Sequence, residues 1–176
     1  MTDGSVHPCA RCASVQKTCC QRAEIVVTRG DIDRITHHTG RADFWSWRPP
    51  ESPAYTEQDP EDPNWVRYTV NERGDRRTLH RMPNGNRVFL GSQGCILPGE
   101  VRPLVCRLYP YSYTEQGITG LDDEYCPREM LIPKDQPKAT MLTVLGMNPD
   151  DGRRWHAMLY DELRRERASD AHRSDV

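Results

Sequence analysis

The sequence predicts a small α+β domain with a few helices, a short antiparallel meander and much irregular backbone. The length of 176 residues suits one domain. Three stretches carry helical signals, and the stretch between the first and the second has the alternation and turn residues of antiparallel strands. The 14 prolines and 12 glycines favour irregular connections between these elements.

The apolar core of this chain must be thin for its length. Hydrophobic residues make up 36% of the sequence, below the roughly 45–50% of an ordinary globular domain, and phenylalanine occurs only 2 times. A chain with little apolar surface to bury often needs disulfide bonds or a bound metal ion to stabilise its fold. We therefore expect a domain stabilised by disulfides or by a metal.

Charge and hydropathy exclude several partners. The net charge of -2 gives no broad attraction to nucleic acid or to an anionic membrane. The first residues lack the apolar stretch of a secretory signal, and no stretch approaches the roughly 18 apolar residues of a membrane span. We expect a cytoplasmic protein, in whose reducing surroundings cysteines serve as metal ligands rather than disulfides. The odd count of 7 cysteines also rules out complete internal pairing.

The first helical signal follows a predicted flexible tail at residues 1–8. Thr28 is suited to the N-cap, and Asp31 completes a pair resembling a capping box. Ile32 and Ile35 should face the core, and Gly40 should end the helix. A single domain is expected over residues 9–165.

A proline- and acid-rich loop at residues 48–64 precedes the predicted strands. "WVRYTV" alternates and is rich in β-branched and aromatic residues, "NERGD" is typical of a turn, and "PNG" between "RRTLHRM" and "NRVFL" is typical of a hairpin. These signals predict an antiparallel meander over roughly residues 65–90.

Two helical segments are predicted in the second half. "RPLVCRLYP" should form one or two turns, with Pro103 near the first helical position. "DGRRWHAMLYDELRRER" is predicted to be an amphipathic helix. Its apolar face would contain Trp155, Met158, Leu159 and Leu163. Residues 166–176 are expected to form a frayed C-terminal tail.

The cysteines fall in two blocks, which predicts a metal site shared between them. The first block pairs a C-x-x-C motif with two adjacent cysteines, and the second follows more than seventy residues later. The candidate ligands are Cys9, Cys12, Cys19, Cys20, Cys95, Cys106 and Cys126. Two alternatives remain, a set of buried thiols acting as small hydrophobes and a thioredoxin-like redox pair, although no βαβ pattern surrounds the C-x-x-C motif.

The segments "CARCASVQKTCC", "VVTRGDIDRITHHTG" and "RPLVCRLYP" resemble the YkgJ-like cysteine-cluster family. The resemblance covers roughly residues 9–127 and implies a zinc- or iron-chelating domain distantly related to flagellin lysine N-methylase. Two departures stand out. Six residues separate Cys12 from Cys19, which is wider than in the family, and Arg87 stands where the family often has a further cysteine. The resemblance implies that Cys9, Cys12, one of the adjacent pair and the three later cysteines are ligands.

An all-thiolate set suits zinc or an iron–sulfur cluster, and each needs four thiolates. The methylase relatives imply an iron–sulfur cluster, so we favour a 4Fe–4S cluster or iron over zinc. Arg102 and Arg107 flank Cys106 and are cofactor-binding candidates, because their charge would neutralise a thiolate-rich centre. Equally, both arginines could anchor the loop by hydrogen-bonding its carbonyl groups.

Several functions remain open at this stage. The chain is predicted to bind a metal or cluster in the cytoplasm. The alternatives are a protein-modifying enzyme related to the methylase and an interaction module stabilised by zinc, each with a protein substrate or partner.

Tyr109, Tyr111 and Tyr113 either cover the site or pack in the core. His37 and His38 are either ligands or residues favoured at a helix C-terminus, and we favour the second interpretation.

Overall fold

The structure is a computed structural model that describes residues 8–122 and 124–174. Within those residues, short helices alternate with three two-stranded antiparallel sheets, which confirms the α+β class. The predicted tail at residues 1–8 lies outside the described residues except for Pro8, where the first helix begins. In the part of the chain described, no helix has both the length and the apolar character needed to cross a membrane.

The N-terminal third contains three helices. Helix α1 spans Pro8–Val15, α2 spans Cys19–Arg22 and α3 spans Arg29–Thr39. The predicted ends of α3 are confirmed. Its N-cap hydroxyl at Thr28 accepts the Asp31 N–H at 2.9 Å, and its C-cap residue, Gly40, has a φ of 69°.

The first sheet joins strands that are distant in the sequence. Strand β1 (Trp45–Arg48) pairs antiparallel with β2 (Arg76–Leu79), and the first residue of β1 lies opposite the last of β2. The loop between them contains a 3-10 helix at Pro53–Thr56 and helix α4 at Trp65–Thr69.

Helix α4 corrects the prediction of a strand at "WVRYTV". Trp65 and Tyr68 are three residues apart, so a helix places both rings on one side. Their ring centroids lie 6.1 Å and 6.5 Å from that of Tyr160. Aromatic packing against the C-terminal helix therefore outweighs the β-propensity of the segment.

The predicted turns are present, but the strands around them are short. Gly74 and Gly85 have φ values of 83° and 85°, as the turns require. Arg81 pairs with Arg87 as an isolated bridge across the Asn-Gly turn. Strand β3 (Leu90–Gly91) then pairs with β4 (Gly94–Cys95), so a set of small hairpins replaces the expected continuous meander.

The second half is built from short elements and one long helix. Helix α5 follows directly after Pro103, close to the predicted position. The elements are α5 (Leu104–Leu108), β5 (Tyr111–Thr114) paired with β6 (Gly117–Leu121), α6 (Arg128–Leu131), α7 (Met141–Val144) and α8 (Pro149–Ser174).

Helix α8 confirms most of the predicted apolar face. Leu159 and Leu163 are buried, whereas Met158 is 37% exposed and Tyr160 is buried although it was not predicted to be. The helix also continues to Ser174 instead of fraying from residue 166, because Glu166 forms an ion pair with Arg77 of β2.

Three small apolar clusters form the core. The first packs α3 and β2 around Phe44 and Phe89, the second packs α5 against α8, and the third surrounds Cys12, Leu131 and Met141. Cysteines border the first and third clusters, so the cysteine-bearing segments lie where these clusters meet.

Candidate metal centre

All seven cysteines line one cavity of about 290 Å³. They come from α1, α2, β4, α5 and the loop before α6, so the two sequence blocks meet as predicted. The cysteines are Cys9, Cys12, Cys19, Cys20, Cys95, Cys106 and Cys126. We call this space the thiol cavity.

Helix α1 presents its two cysteines to the cavity from one side. Cys9 and Cys12 are three residues apart, so they share a helix face. Gly94 of β4 lies against this helix with a φ of 92°, and a Cβ atom at Gly94 would lie 3.4 Å from Cys9 Cβ. The glycine therefore permits the close approach of α1 to the hairpin that contains Cys95.

Helix α2 is held by a glutamine. The Gln21 Oε1 atom accepts the Thr18 N–H at 3.0 Å, and Gln21 Nε2 donates to Asn86 Oδ1 at 2.7 Å. These bonds tie the short helix to the Asn-Gly turn. Both Cys19 and Cys20 line the cavity, although adjacent side chains were expected to diverge so that only one of them joins the site.

The surroundings of Cys20 favour its thiolate form. The Cys19 thiol donates a hydrogen bond to it and, together with the Arg102 and Arg87 guanidiniums and against the effect of burial, lowers the pKa of Cys20 to about 7. The same hydrogen bond raises the pKa of Cys19. One member of the adjacent pair therefore acts as donor to the other.

Three other thiols resist ionisation. Burial raises the pKa of Cys9 to about 11, although the charge of Arg102 opposes this effect. Burial and the neighbouring Cys20 also raise the pKa values of Cys95 and Cys106. These sulfurs line one poorly solvated space, so a cation among them would favour the thiolate forms strongly.

Polar side chains contact the sulfurs on the Cys126 side of the cavity. Tyr109 Oη lies 3.5 Å from Cys126 Sγ and also accepts the Tyr125 N–H at 3.1 Å. Gln16 Nε2 lies 3.7 Å from Cys12 Sγ and donates to the Tyr125 carbonyl oxygen at 2.8 Å. This network links both cysteines to the segment before α6.

Only one of the three alternating tyrosines lies at the cavity. Tyr109 lines it, whereas the ring of Tyr113 packs 6.3 Å from that of Tyr160, in the core between α5 and α8. Tyr111 is buried beside Gly152. Sequence reasoning missed Tyr125, whose only signal is that it directly precedes Cys126.

The two arginines beside Cys106 have different roles. Arg107 is buried and donates to the Arg102 carbonyl oxygen at 2.7 Å and to that of Glu100, so it anchors the loop. Arg102 donates to the Leu97 carbonyl oxygen at 3.0 Å. Both line the cavity, but the charge of Arg102 is the one that favours the Cys9, Cys20, Cys95 and Cys106 thiolates.

Arg87 has an electrostatic role that sequence reasoning missed. It is only 2% exposed and donates to the Leu79 and Ala23 carbonyl oxygens at 3.0 Å and 2.7 Å. Arg87 also forms an ion pair with Glu51 at 3.1 Å. Its charge favours the Cys20 thiolate, so Arg87 acts on the site as a buried cation.

The four histidines whose side chains the structure describes lie away from the site. His37 and His38 are exposed at the end of α3, in agreement with the helix C-terminus interpretation. His80 Nε2 is 2.9 Å from Ser46 Oγ, and His156 Nε2 is 2.7 Å from the Thr114 carbonyl oxygen. None of these four residues lines the thiol cavity.

The cysteine thiols suit a thiophilic metal, but the cysteine side chains would have to change rotamer to bind it. Among residues 8–122 and 124–174, no three His, Cys, Asp or Glu side chains stand together in a position to hold one ion. A cysteine side chain has a single rotatable bond before its sulfur, so changes of rotamer can bring sulfurs in one cavity together. The cavity volume is several times the roughly 30 Å³ of one water molecule, so it has space for more than one ion.

The chain matches no protein-family model, curated protein or solved structure. The likeness to YkgJ-like proteins therefore depends on the motif residues alone. Their arrangement around one cavity is the independent observation that bears on function.

Proposed function

We propose that this protein binds a metal centre, of the 4Fe–4S type, through thiolates of the thiol cavity. The observation that carries the proposal is the convergence of seven cysteines from five chain segments on one space. Free cysteines that only fill the core have no reason to share a cavity, whereas thiolate ligands must.

The number of thiols and the space favour a cluster over a single zinc ion. Zinc in a structural site takes four ligands and leaves no residual cavity. Here seven thiols surround about 290 Å³. Arg102 and Arg87 supply positive charge beside the thiolates, as an anionic cluster with four thiolate ligands requires. Zinc, as one or two ions, is the second candidate.

Four cysteines are the best candidates for the ligands. Cys20 interacts electrostatically with the other three, and Arg102 favours the thiolate form of all four. The proposed ligands are Cys9, Cys20, Cys95 and Cys106. Cys19 would then donate a hydrogen bond to a ligand sulfur, a contact that tunes the potential of a cluster. Cys12 and Cys126 would flank the centre with their glutamine and tyrosine neighbours.

The cytoplasm is the proposed compartment, because a metal centre held by thiolates persists where the surroundings are reducing. The centre would also stabilise the fold directly. It joins segments that few apolar contacts hold, so the free energy of metal binding would add to the free energy of folding.

Anaerobic purification of the full chain tests the proposal. Iron, sulfide and zinc are quantified per chain, and the visible spectrum is recorded. We expect a brown protein with about four irons and four sulfides, reflecting the composition of the cluster. A colourless protein with stoichiometric zinc would overturn the iron–sulfur assignment, and a folded chain that takes up neither metal would overturn the metal centre itself.

A matched pair of variants tests the ligand assignment. Cys20→Ser should lose most of the bound iron, because it removes the thiolate that lies among the other ligands. Cys126→Ser should retain it, because that sulfur lies on the flank beside Tyr109. Equal metal loss in both variants would contradict the assignment of these two cysteines.

A further inference from the structure

Apolar side chains also line the thiol cavity, and we call this set the apolar wall. It consists of Leu131, Leu145, Met147 and Trp155, together with Gly146 and Asn148 of the connection between α7 and α8. Ligands of a structural metal site usually enclose the metal completely, whereas sites that act on a substrate retain an open side. The apolar wall is therefore space that a closed thiolate site would not need.

Trp155 gives this wall an unused hydrogen-bond donor. Its ring packs beside the α5–α8 cluster, and its indole Nε1 is buried with no acceptor among the described residues. A buried N–H without an acceptor costs free energy and is uncommon in native proteins. An acceptor atom of a molecule bound in the cavity would complete it.

The charges around the cavity disfavour ionic ligands. Cysteine thiolates and Asp151, in the first turn of α8, would repel an anion. Arg102 and Arg107 line the same cavity and would repel a cation, so neither sign of ligand charge is favoured by all of the charges there. A neutral molecule avoids both penalties, and a short apolar body would contact Leu145 and Met147.

We propose that the wall containing Trp155 binds a small neutral molecule with one hydrogen-bond acceptor, of the carbonyl or amide class. The acceptor oxygen would receive the Trp155 indole N–H, and the short alkyl part would lie against the leucines and methionine. The role of this molecule as a substrate rests on the proposed metal centre, whereas its binding can be measured whatever metal the chain holds.

Three probes of nearly equal length show whether the site prefers a neutral molecule, an anion or a cation. Butyramide is neutral and has an acceptor, butyrate is an anion, and butylammonium is a cation without an acceptor. The full chain, loaded with diamagnetic zinc, is titrated with each probe while the indole N–H resonances and the backbone amide resonances of Gly146 and Met147 are followed by NMR, so that binding can also be measured in a variant without the Trp155 indole. We expect butyramide to bind with a Kd of about millimolar magnitude, as suits a ligand of so few atoms, and to shift the Trp155 signal.

Two tryptophan variants complete the test. Trp155→Phe retains a ring but loses the donor, and should weaken butyramide binding about threefold to tenfold, the value of one neutral hydrogen bond. Trp47→Phe changes a 40% exposed ring outside the cavity and should bind butyramide normally.

Several results would overturn this inference. Absence of saturable butyramide binding to the folded chain would do so, as would tighter binding of butyrate or butylammonium. Unchanged affinity in Trp155→Phe would also overturn it. Failure of the chain to retain any metal, with butyramide still shifting the Trp155 signal, would remove only the metal centre and would support the binding site.

Discussion

The contact between α3 and α8 and the thiol cavity both bury polar groups, but they satisfy them differently. Between the helices, Arg34 binds Asp31 at 2.7 Å and Glu162 at 2.6 Å. Asp31 is completely buried and also accepts the Leu104 N–H at 3.0 Å. Each buried charge in this contact has an opposite charge beside it, as the interior of a protein requires.

The thiol cavity has no such internal balance. Its sulfurs line one space, and burial raises the pKa values of Cys9, Cys95 and Cys106. Arg102 and Arg87 offset only part of this effect. Burial raises the pKa of Asp31 too, but Arg34 opposes that effect from within the chain, whereas the thiols would find their main positive partner in the proposed metal centre. The predictions below test that difference.

Metal removal should have the largest effect. Chelation of the full chain under reducing conditions is expected to lower its free energy of unfolding by several kcal/mol. The loss should stay below the ~10 kcal/mol typical of zinc-finger peptides, because three apolar clusters remain. Urea unfolding with and without chelator measures the change. An unfolding curve insensitive to chelator would show the cavity to be complete without metal.

Asp31→Ala should have the next largest effect, because it breaks the balanced contact. Removing Asp31 leaves Arg34 with only Glu162 as an ion-pair partner and the Leu104 N–H without an acceptor. We expect a loss of about 3–5 kcal/mol in the free energy of unfolding. Asp33→Ala, at an exposed position of the same helix, is the control and should change little. Similar losses in both variants would refute the special role of the buried carboxylate.

The ionisation of Cys20 gives a smaller, measurable effect in the metal-free chain. Its alkylation by iodoacetamide should reach half of the maximal rate near pH 7, since the pKa of Cys20 is about 7. Arg102→Gln removes a positive charge that favours the thiolate, so the pKa must rise and the midpoint should move to higher pH by about one unit. Arg48→Gln, exposed on β1, is the control. A midpoint that stays in place, or falls, would contradict the electrostatic role of Arg102.

An exposed ion pair should have the smallest effect of all. Arg165 and Asp161 lie 2.6 Å apart on α8, but their side chains are 76% and 50% exposed. Water screens such a pair, so Arg165→Ala should leave the Tm nearly unchanged. A fall in Tm as large as the one caused by Asp31→Ala would mean that burial does not explain the strength of the α3–α8 contact.

Residues such as helix caps and proline correctly predicted those helix ends that depend on interactions within a few residues. Thr28, Asp31 and Gly40 define both ends of α3, and Pro103 sets the start of α5, because caps and proline act within a few residues. The pairing of β1 with β2 could not be predicted from such signals. Those strands are four residues long and about thirty residues apart, so their pairing depends on packing elsewhere in the chain.

The sequence predicted which cysteines line the site, but it did not predict the role of the other side chains around them. Cysteine spacing alone indicated that two blocks would meet, and they line one cavity. Spacing could not indicate which cations would stand nearby. Arg107 was a candidate and serves as a loop anchor, whereas Arg87, noted only as a missing cysteine, acts on Cys20. Trp155 was predicted only as a core residue, because nothing in a helical pattern reveals a donor left without an acceptor.

The meeting of α1 and α2 with β4 and α5 has a consequence for how the protein is made. The first four cysteines leave the ribosome while Cys95, about 75 residues later, is still to be added. At roughly 5–20 residues per second, they wait on the order of ten seconds for the rest of the cavity. During synthesis they are therefore an incomplete and reactive set of thiols. Delivery of the proposed metal would therefore follow translation of the second block, and oxidants would damage the nascent chain more readily than the finished protein.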